Sequence, residues 1–512
     1  MDRRDASAPT TVPPAAVTRE RVVAAMADGP DAVLALIAEA VAAALAPVLA
    51  PVLERVRALE AAQAKDSHNS SKPPSTDVTR TGRAPKSLRG QSGKPRGGQP
   101  GHPGRTLALR AAPDAVCLHG PACCARCGVA FAPDAPTAAI AGERRQVFEL
   151  PPVALTCTEH RLAERTCATC GAVSRGAYPP EAASTAQYGP ALLAFGVYLT
   201  TQQLLPVARA ADVLTALTGQ RVSPATLLAA ERRLATALAP VVAHTHAGLA
   251  RSAVLHLDET AFYVGDLTTG GPCARWWLHV ACTPTLVHYT AHARRGTGAH
   301  AAVALLPTYA GTAVHDGYAS YRTHTGCRHA LCGVHLLREL TFLAEEAPPA
   351  TRRWAAAFKR ALQTMQRAAA RARAAGAAAL DARTRRRYHR RYDALLALGD
   401  AAEPPPVHAP SGRGRLRRSA GAQLLHRLRR DRDAVLRFVE DLTVPFDNSE
   451  AERDVRMMRV EQKVSGGFRT AAGAHTFCTL RGYLSTARKQ GQHALAVLRD
   501  ALCGRPFMPA VP

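Results

Sequence analysis

At residue 253 the spacing of apolar residues changes. Upstream, from YGPALLAFGVYLTTQQLLPVARAADVLTALTG through SPATLLAAERRLATALAPVVAHTHAGL, they recur every three or four positions, the period of a helix. Downstream, AVLHLDETAFYVG, RWWLHVACT and TLVHYTAHA alternate with period two. The separators LTTGGP and TPT suit turns, so the pattern predicts three strands joined by two hairpins. GTAVHDG predicts a further strand. Helical patterns then return in HALCGVHLLRELTFLAEEA, in a charged stretch over 351–399, in AQLLHRLRRDRDAVLRFVEDL, in NSEAERDVRMMRVEQKV and in AHTFCTLRGYLSTARKQG. Strands followed by helices predict an α/β fold, a mixed sheet with helices against it.

Three acids stand out on this frame. Asp258 in LHLDET and Asp316 in AVHDGY each end an apolar, strand-like run, and Glu452 in FDNSEAER starts a helix-like one. Alternation puts Val254, His256 and Asp258 on one strand face and Leu255 and Leu257 on the other. Carboxylates at strand ends leave the core yet stay on a rigid frame. Hard oxygen ligands suit Mg²⁺, and two such ions about 3.5–4 Å apart can serve the attacking and leaving oxygens of a phosphodiester. Each acid also has a plain reading. Asp258 and Asp316 can cap loops, Glu259 can replace Asp258 as ligand, and Ser449 with Glu452 matches a capping box, as do Asp447 and Glu450. Glu452, Arg456, Arg459 and Lys463 share one helix face, which suits a metal ligand beside phosphate-binding arginines and equally an ion-paired solvent face.

The charge balance favours a polyanionic partner. Lys plus Arg is 65 against 40 for Asp plus Glu, a formal net charge of +25. Coding bias explains arginine in place of lysine but not the excess of base over acid. Dense basic tracts occur at 381–392, 411–421 and 426–433, where Tyr388 and Tyr392 stand ready to stack on bases or to pack. SGGFRT at 465–470 offers glycines for close backbone approach, with Arg469 beside them. It lacks the pattern of a nucleotide-binding loop.

The N-terminus has no apolar core of the secretory kind, which predicts a cytoplasmic, nucleoid-associated protein. The apolar run from Ala32 to Val52 is dominated by alanine and is read as an amphipathic or self-associating helix, not a membrane span. Its stripe of Val33, Leu36, Ile37, Val41 and Leu45 suits packing on the body or pairing between subunits, and Pro47 and Pro51 are expected to interrupt it. A turn at Gly219-Gln220 followed by Ser223-Pro224 suits a helix-turn-helix or a simple helical lead-in.

Cys124-Ala-Arg-Cys127-Gly and Cys167-Ala-Thr-Cys170-Gly are matched knuckles, four thiolates of the kind structural Zn²⁺ prefers. The segment between them reads as strand. Cys117, His119, Cys123, Cys157 and His160 are spare candidates. Cys332 and His335, three apart and followed by Arg338, face the same way on a helix and suit packing or a local hydrogen bond, with a supporting role as the alternative.

The stretches NSSKPPS (69–75), GGQPGHPGRT (97–106), LHLDET, VHDGY, CGVHLLREL, DNSEAERDVRMMRVEQKVSGGFRT and STARKQG together resemble the IS66-type transposases of the DDE group, in consistent order from about residue 60 to 500. The resemblance implies an RNase H-like catalytic domain with Asp258, Asp316 and Glu452 as its metal-binding acids. It implies a zinc-finger-like region ahead of that domain. The 135 residues between Asp316 and Glu452 leave room for the helical insertion the family carries.

The expected organisation is a disordered start and helix over 1–64, a basic Gly/Pro/Ser linker over 65–106, a zinc-binding module over 107–175 and a helical DNA-binding or lead-in region over 176–250. The catalytic core follows over 251–345, a helical insertion over 346–440, the rest of the core over 441–500 and a tail over 501–512. The expected activity is that of a DNA transposase using two Mg²⁺ or Mn²⁺ ions to cut and join element ends. The alternatives are a metal-dependent nuclease that does not join, and an inactive DNA-binding protein. Double-stranded DNA at element ends and target is the expected partner, with Arg456, Arg459, Lys463 and Arg469 on its phosphates. A homo-oligomer and small accessory proteins of the same element are expected as well.

Overall fold

The computed structural model describes residues 17–63, 65, 69, 107–136, 144–150, 153–179, 182, 184–266, 271–403, 405 and 418–512. Residues 1–16, almost all of the 65–106 linker with its GGQPGHPGRT, the tip of the first hairpin and 411–417 of the second basic tract lie outside the described residues. The chain forms two compact units, Leu88–Arg232 and Met1–Ser87 with Arg233–Pro512.

At the N-terminus α1 (Arg19–Ala27) pairs with α2 (Pro30–Gln63). The helix α2 runs straight through Pro47 and Pro51, contrary to expectation. Its alanine-rich flanks have the highest intrinsic helix propensity, and carbonyls freed by a proline ring on an exposed helix can bind water. Ile37, Val41 and Leu45 are exposed, so this part of the stripe does not pack on the body. Among the described residues, Pro30–Pro47 is long and apolar enough to cross a membrane, with a mean hydropathy of 1.6.

In the unit Leu88–Arg232 both knuckles form the same turn. Gly128 N–H donates to Cys124 O and Gly171 N–H to Cys167 O, each at 2.9 Å, and both glycines take the left-handed conformation that closes it. A hairpin of β1 (Glu164–Thr166) and β2 (Val173–Arg175) carries the second knuckle. The rest of the intervening segment is not strand. Its Val147, Leu150 and Val153 are exposed, with no surface buried against them among the described residues. Three helices follow: α3 (Pro190–Val197), α4 (Val207–Thr218) and α5 (Pro224–Ala237). Leu199, Ala210, Leu214, Val222 and Leu227 form their core. Gly219 ends α4 with a left-handed C-cap, and the Ser223 hydroxyl accepts from Ala225 N–H at the start of α5.

The larger unit continues with α6 (Ala239–Arg251) and a five-stranded sheet. Its strands are β3 (Val254–Asp266), β4 (Gly271–Cys282), β5 (Val287–His292), β6 (Thr312–His315) and β7 (Arg328–Leu331), in the order β5-β4-β3-β6-β7. The first three are antiparallel hairpin partners; β6 and β7 run parallel to β3. The short helix α7 (Thr297–Val303) lies between β5 and β6. The residues His329–Leu331, expected to begin a helix, instead belong to β7, whose four positions are too few to display a period. One face of the sheet packs Leu255, Leu257, Ala281, Leu286 and Ala313 into a core.

Helices α8 (Gly333–Glu346), α9 (Pro349–Ala374), α10 (Ala382–Ala402), α11 (Ala420–Arg430) and α12 (Arg432–Glu440) build a second core around Trp354, Phe358, Leu362 and Tyr392. Tyr388 and Tyr392 pack in it; the Tyr392 hydroxyl donates to Leu428 O at 2.8 Å, so neither ring is offered to a base. Many arginines of the basic tracts are already paired: Arg385 and His389 with Glu440, Arg432 with Asp393, Arg427 with Glu339 and Arg429 with Asp400. The chain then returns to the sheet through α13 (Ser449–Ser465), α14 (Ala471–Lys489) and α15 (Ala494–Leu502).

Candidate active site

Asp258 lies on the central strand β3, opposite Val280 of β4. Asp316 is the residue after β6, the parallel neighbour of β3. Glu452 lies in the first turn of α13, which packs against β3 and β4. The three carboxylates come from distant sequence into one electrostatic neighbourhood. Burial raises the Asp258 carboxyl to about 8, and Glu259, Asp316 and Glu452 add to the rise. The Asp258 side chain accepts its own neighbour's amide, Glu259 N–H, at 2.8 Å. That single bond is a poor match for a crowded anion, and a divalent cation would supply what is missing. The hard oxygens of the three acids fit Mg²⁺ or Mn²⁺ in donor type.

The helix α13 is fixed to β3 at both ends. Asn448 is its N-cap residue, but its side chain reaches away from the helix. Nδ2 donates to Leu257 O at 2.7 Å, and Oδ1 faces His256 Nδ1 at 3.0 Å. Burial lowers the His256 pKa, so the ring is neutral and its Nδ1–H is the donor to Asn448. Ser449 is already inside the helix, and the amide of Ser449 donates to Asp447 Oδ1 at 2.9 Å. The expected capping box is therefore absent, because the turn is closed from its outer side by Asp447. At the other end Gly466 caps α13 in a left-handed conformation. Gly467, at φ +139°, lies so close to Tyr263 that an added Cβ would meet its carbonyl oxygen at 2.6 Å. Phe468 then exchanges hydrogen bonds with β3: its N–H donates to Tyr263 O at 2.9 Å, and its carbonyl accepts from Gly265 N–H at 2.7 Å. The glycines of SGGFRT thus admit the chain's own backbone.

On the opposite side of α13, Lys489 of α14 pairs with Asp454 at 2.8 Å and Glu450 at 3.5 Å. Those acids are absorbed in helix packing, while Glu452 turns toward the sheet.

Glu259 has a different task from Asp258. Its side chain is about 1% exposed, is held by Arg295 Nε at 2.8 Å and accepts the Tyr321 hydroxyl. Arg295 also faces Asp316, at 3.9 Å, and lies over the rings of Trp277 and Tyr318. Burial alone would lower the guanidinium's pKa, and Glu259 and Asp316 more than reverse that. Tyr321 is stacked between His300 and His315, with ring centroids 5.0 and 4.4 Å away. Burial lowers His315 to about 3 and His300 to about 4, so both are neutral at ordinary pH. His315 Nδ1 accepts Gly317 N–H at 3.0 Å and so steadies the turn that carries Asp316.

Cys332 and His335 also reach Glu452. Cys332 caps α8, and its thiol lies 3.7 Å from Glu452 Oε1; His335 Nδ1, in the first turn, is 3.7 Å from the same oxygen. Among the described residues, these three form the group whose metal-capable atoms all lie within 4.8 Å of one another. Burial and then Glu452 push the Cys332 thiol up to about 12. The three carboxylates do not form such a cage, nor do Cys124, Cys127, Cys167 and Cys170. Backbone N–H groups lower the Cys124 and Cys167 thiols, the latter to about 7. Arg338 on α8 leaves its Nε without a hydrogen-bond partner among the described residues.

Arg456, Arg459, Lys463 and Arg469 are exposed. Arg459 and Lys463 line a groove of about 610 Å³ with Tyr263, Arg275, Trp277 and Arg295. The sequence reading missed Arg295 and Asn448. Asn448 was visible beside Ser449 in DNSEAER, whereas nothing in HARRG singles out its second arginine.

A central antiparallel hairpin extended by two parallel strands, with a helix laid over the middle, is consistent with an RNase H-like protein of the DDE type. A model of the transposase IS66 family matches residues 185–476, and the chain belongs to that family. A second model, of a family of unknown function (DUF6444), matches residues 28–108. No curated protein and no solved structure matches the chain.

Proposed function

We propose that the protein is an active transposase that binds the ends of its mobile element, cuts the DNA there and joins the freed 3′-hydroxyl to target DNA. Asp258, Asp316 and Glu452 would hold two Mg²⁺ or Mn²⁺ ions. Bound there, the ions would lower the cost of forming the nucleophile and of charge on the leaving oxygen. The observation that carries this reading is the Asp258 carboxyl, raised by burial and by three neighbouring acids, with no cation paired to it among the described residues. The chain's own residues position the acids. Asn448 and Phe468 hold α13 over β3, and Arg295 with Tyr321 holds Glu259 out of the reacting space. Arg459 and Lys463 would neutralise phosphates entering the groove beside them, with Arg456 and Arg469 extending the track.

Element ends would be recognised by residues before 250, including the two knuckles closed around structural Zn²⁺. The protein would act as a homo-oligomer in the cytoplasm, on double-stranded DNA, with accessory proteins of its element.

Pre-cleaved element ends, a target plasmid and Mg²⁺ provide the test. Wild-type protein should give joined product, and Asp258→Ala should bind end DNA and give none. Cleavage without joining would make the protein a nuclease. Undiminished joining by Asp258→Ala would overturn the assignment of the acids.

A further inference from the structure

We infer that Cys332, His335 and Glu452 form a binding site for a thiophilic divalent cation, zinc in the first place, and that its occupation draws Glu452 away from Asp258 and Asp316 and arrests the reaction. The site itself stands on geometry alone; the arrest rests on the function proposed above.

One oxygen, Glu452 Oε1, lies 3.7 Å from both the Cys332 sulfur and the His335 Nδ1. Tetrahedral zinc, with bonds of about 2.0–2.3 Å, places its ligand atoms roughly 3.3–3.8 Å apart. The two edges that meet at Glu452 Oε1 therefore already have the spacing of a coordinated ion, and the third, between the Cys332 sulfur and the His335 ring, is no longer than 4.8 Å. The donor set of thiolate, imidazole and carboxylate is one that zinc accepts and magnesium does not, because magnesium demands hard oxygen. With three protein donors, a fourth position stays open to water.

The surroundings favour occupation. His335 Nδ1 is buried and has no hydrogen-bond partner among the described residues. The backbone N–H of Asn448 points at the Cys332 sulfur at 3.3 Å, where it would stabilise a thiolate. Cys332 and His335 are both fixed by the start of α8, while Glu452 comes from α13. An ion there would join the two helices. Because it would use the oxygen nearest the two donors, it would compete directly with hard ions for the same side chain.

The full-length protein, first saturated with zinc at its tightest sites and freed of excess, is titrated with Co²⁺. The wild type should take up one more equivalent than Cys332→Ser, with a near-ultraviolet thiolate-to-cobalt absorption that the variant lacks. His335→Gln, a milder change should the buried serine disturb folding, should weaken this uptake about tenfold or more. Equal uptake with identical spectra in all three proteins overturns the site. Zinc is then added to the Mg²⁺-dependent cleavage reaction, each protein being measured against its own rate without zinc. Half-inhibition in Cys332→Ser should require about tenfold more zinc than in the wild type. Equal sensitivity overturns the arrest. Glu452→Gln separates the two readings: if it still cleaves DNA while its cobalt affinity falls, the catalytic assignment of Glu452 fails and the metal site remains.

Discussion

Asn448 Nδ2 donates to the carbonyl oxygen of Leu257 at 2.7 Å, joining residues 191 positions apart. This bond is next to Asp258 on one side and one helical turn from Glu452 on the other. It sets the height of α13 above the central strand, and it does so from a cap position that would ordinarily serve the helix itself.

Replacing Asn448 with Ala leaves the Leu257 carbonyl and the His256 ring without their partners in a buried place. Loss of about 2 kcal/mol or more is expected in denaturant unfolding. Strand cleavage should fall further than stability accounts for, since Glu452 loses its registration. Cleavage at the wild-type rate in a folded Asn448→Ala protein would contradict this.

Asp258 links stability to pH. Its carboxyl is raised to about 8 in the folded chain against an ordinary 3.8, so the folded state holds the proton more tightly than the unfolded one. Without divalent metal, stability should fall as pH rises between those two values and level off above the higher one. Asp258→Asn escapes this loss. Its advantage over wild type should be larger near pH 8.5 than near pH 4.5 by about 1 kcal/mol or more, read from paired unfolding curves.

The same proton must leave before the acids can hold a cation. Apparent Mg²⁺ affinity should therefore rise toward about tenfold per pH unit below about 8 and flatten above it, as measured by calorimetry. In Asp258→Asn the slope should vanish along with most of the binding.

Arg295 neutralises Glu259, whose side chain is nearly sealed from solvent. Arg295→Ala strands that carboxylate, and a cost of about 3 kcal/mol is expected on unfolding. Arg295→Ala with Glu259→Gln should recover part of the loss. No recovery in the double variant would show that the pair is not coupled.

If the two knuckles close around one ion, Cys124→Ser and Cys167→Ser should each lower zinc content by the same single equivalent, and the double variant by no more. Metal analysis of the purified proteins decides it. Additive losses would mean two separate centres.

The hairpins and the acid-bearing strands were legible in the sequence because strand side chains alternate between two faces, one filled with apolar residues and the other carrying the polar His256 and Asp258 beneath α13. Leu255 and Leu257 do lie in the core, and His256 on the other side. The short β7 was not legible: four residues carry no period, and its strand character comes from pairing with β6. The continuation of α2 through two prolines was misread, since a local penalty was given more weight than long alanine-rich flanks. The pairing of so many insertion arginines was hidden for another reason. Glu339, Asp393, Asp400 and Glu440 are scattered in the chain and meet their partners only once the helices pack. Net charge therefore overstated how much of this region is open to phosphate. Cys332 and His335 were recognisable as a pair, but the third member of their group lies over a hundred residues away.

Gly333 N–H donates to Phe446 O at 2.8 Å, and an added Cβ on Gly333 would meet the Phe446 ring at 2.2 Å. The chain thus departs for α8 and comes back for α13 through a single clasped doorway. Within the insertion α12 still rests on β7, and Val444 shares a small core with Val314 and Ala330, whereas α10 packs on α9 and α11, so it is this outer part that can lengthen or shrink with least effect on the residues at the threshold. A lineage of mobile elements could in this way refashion its helical appendage while inheriting the chemistry unchanged.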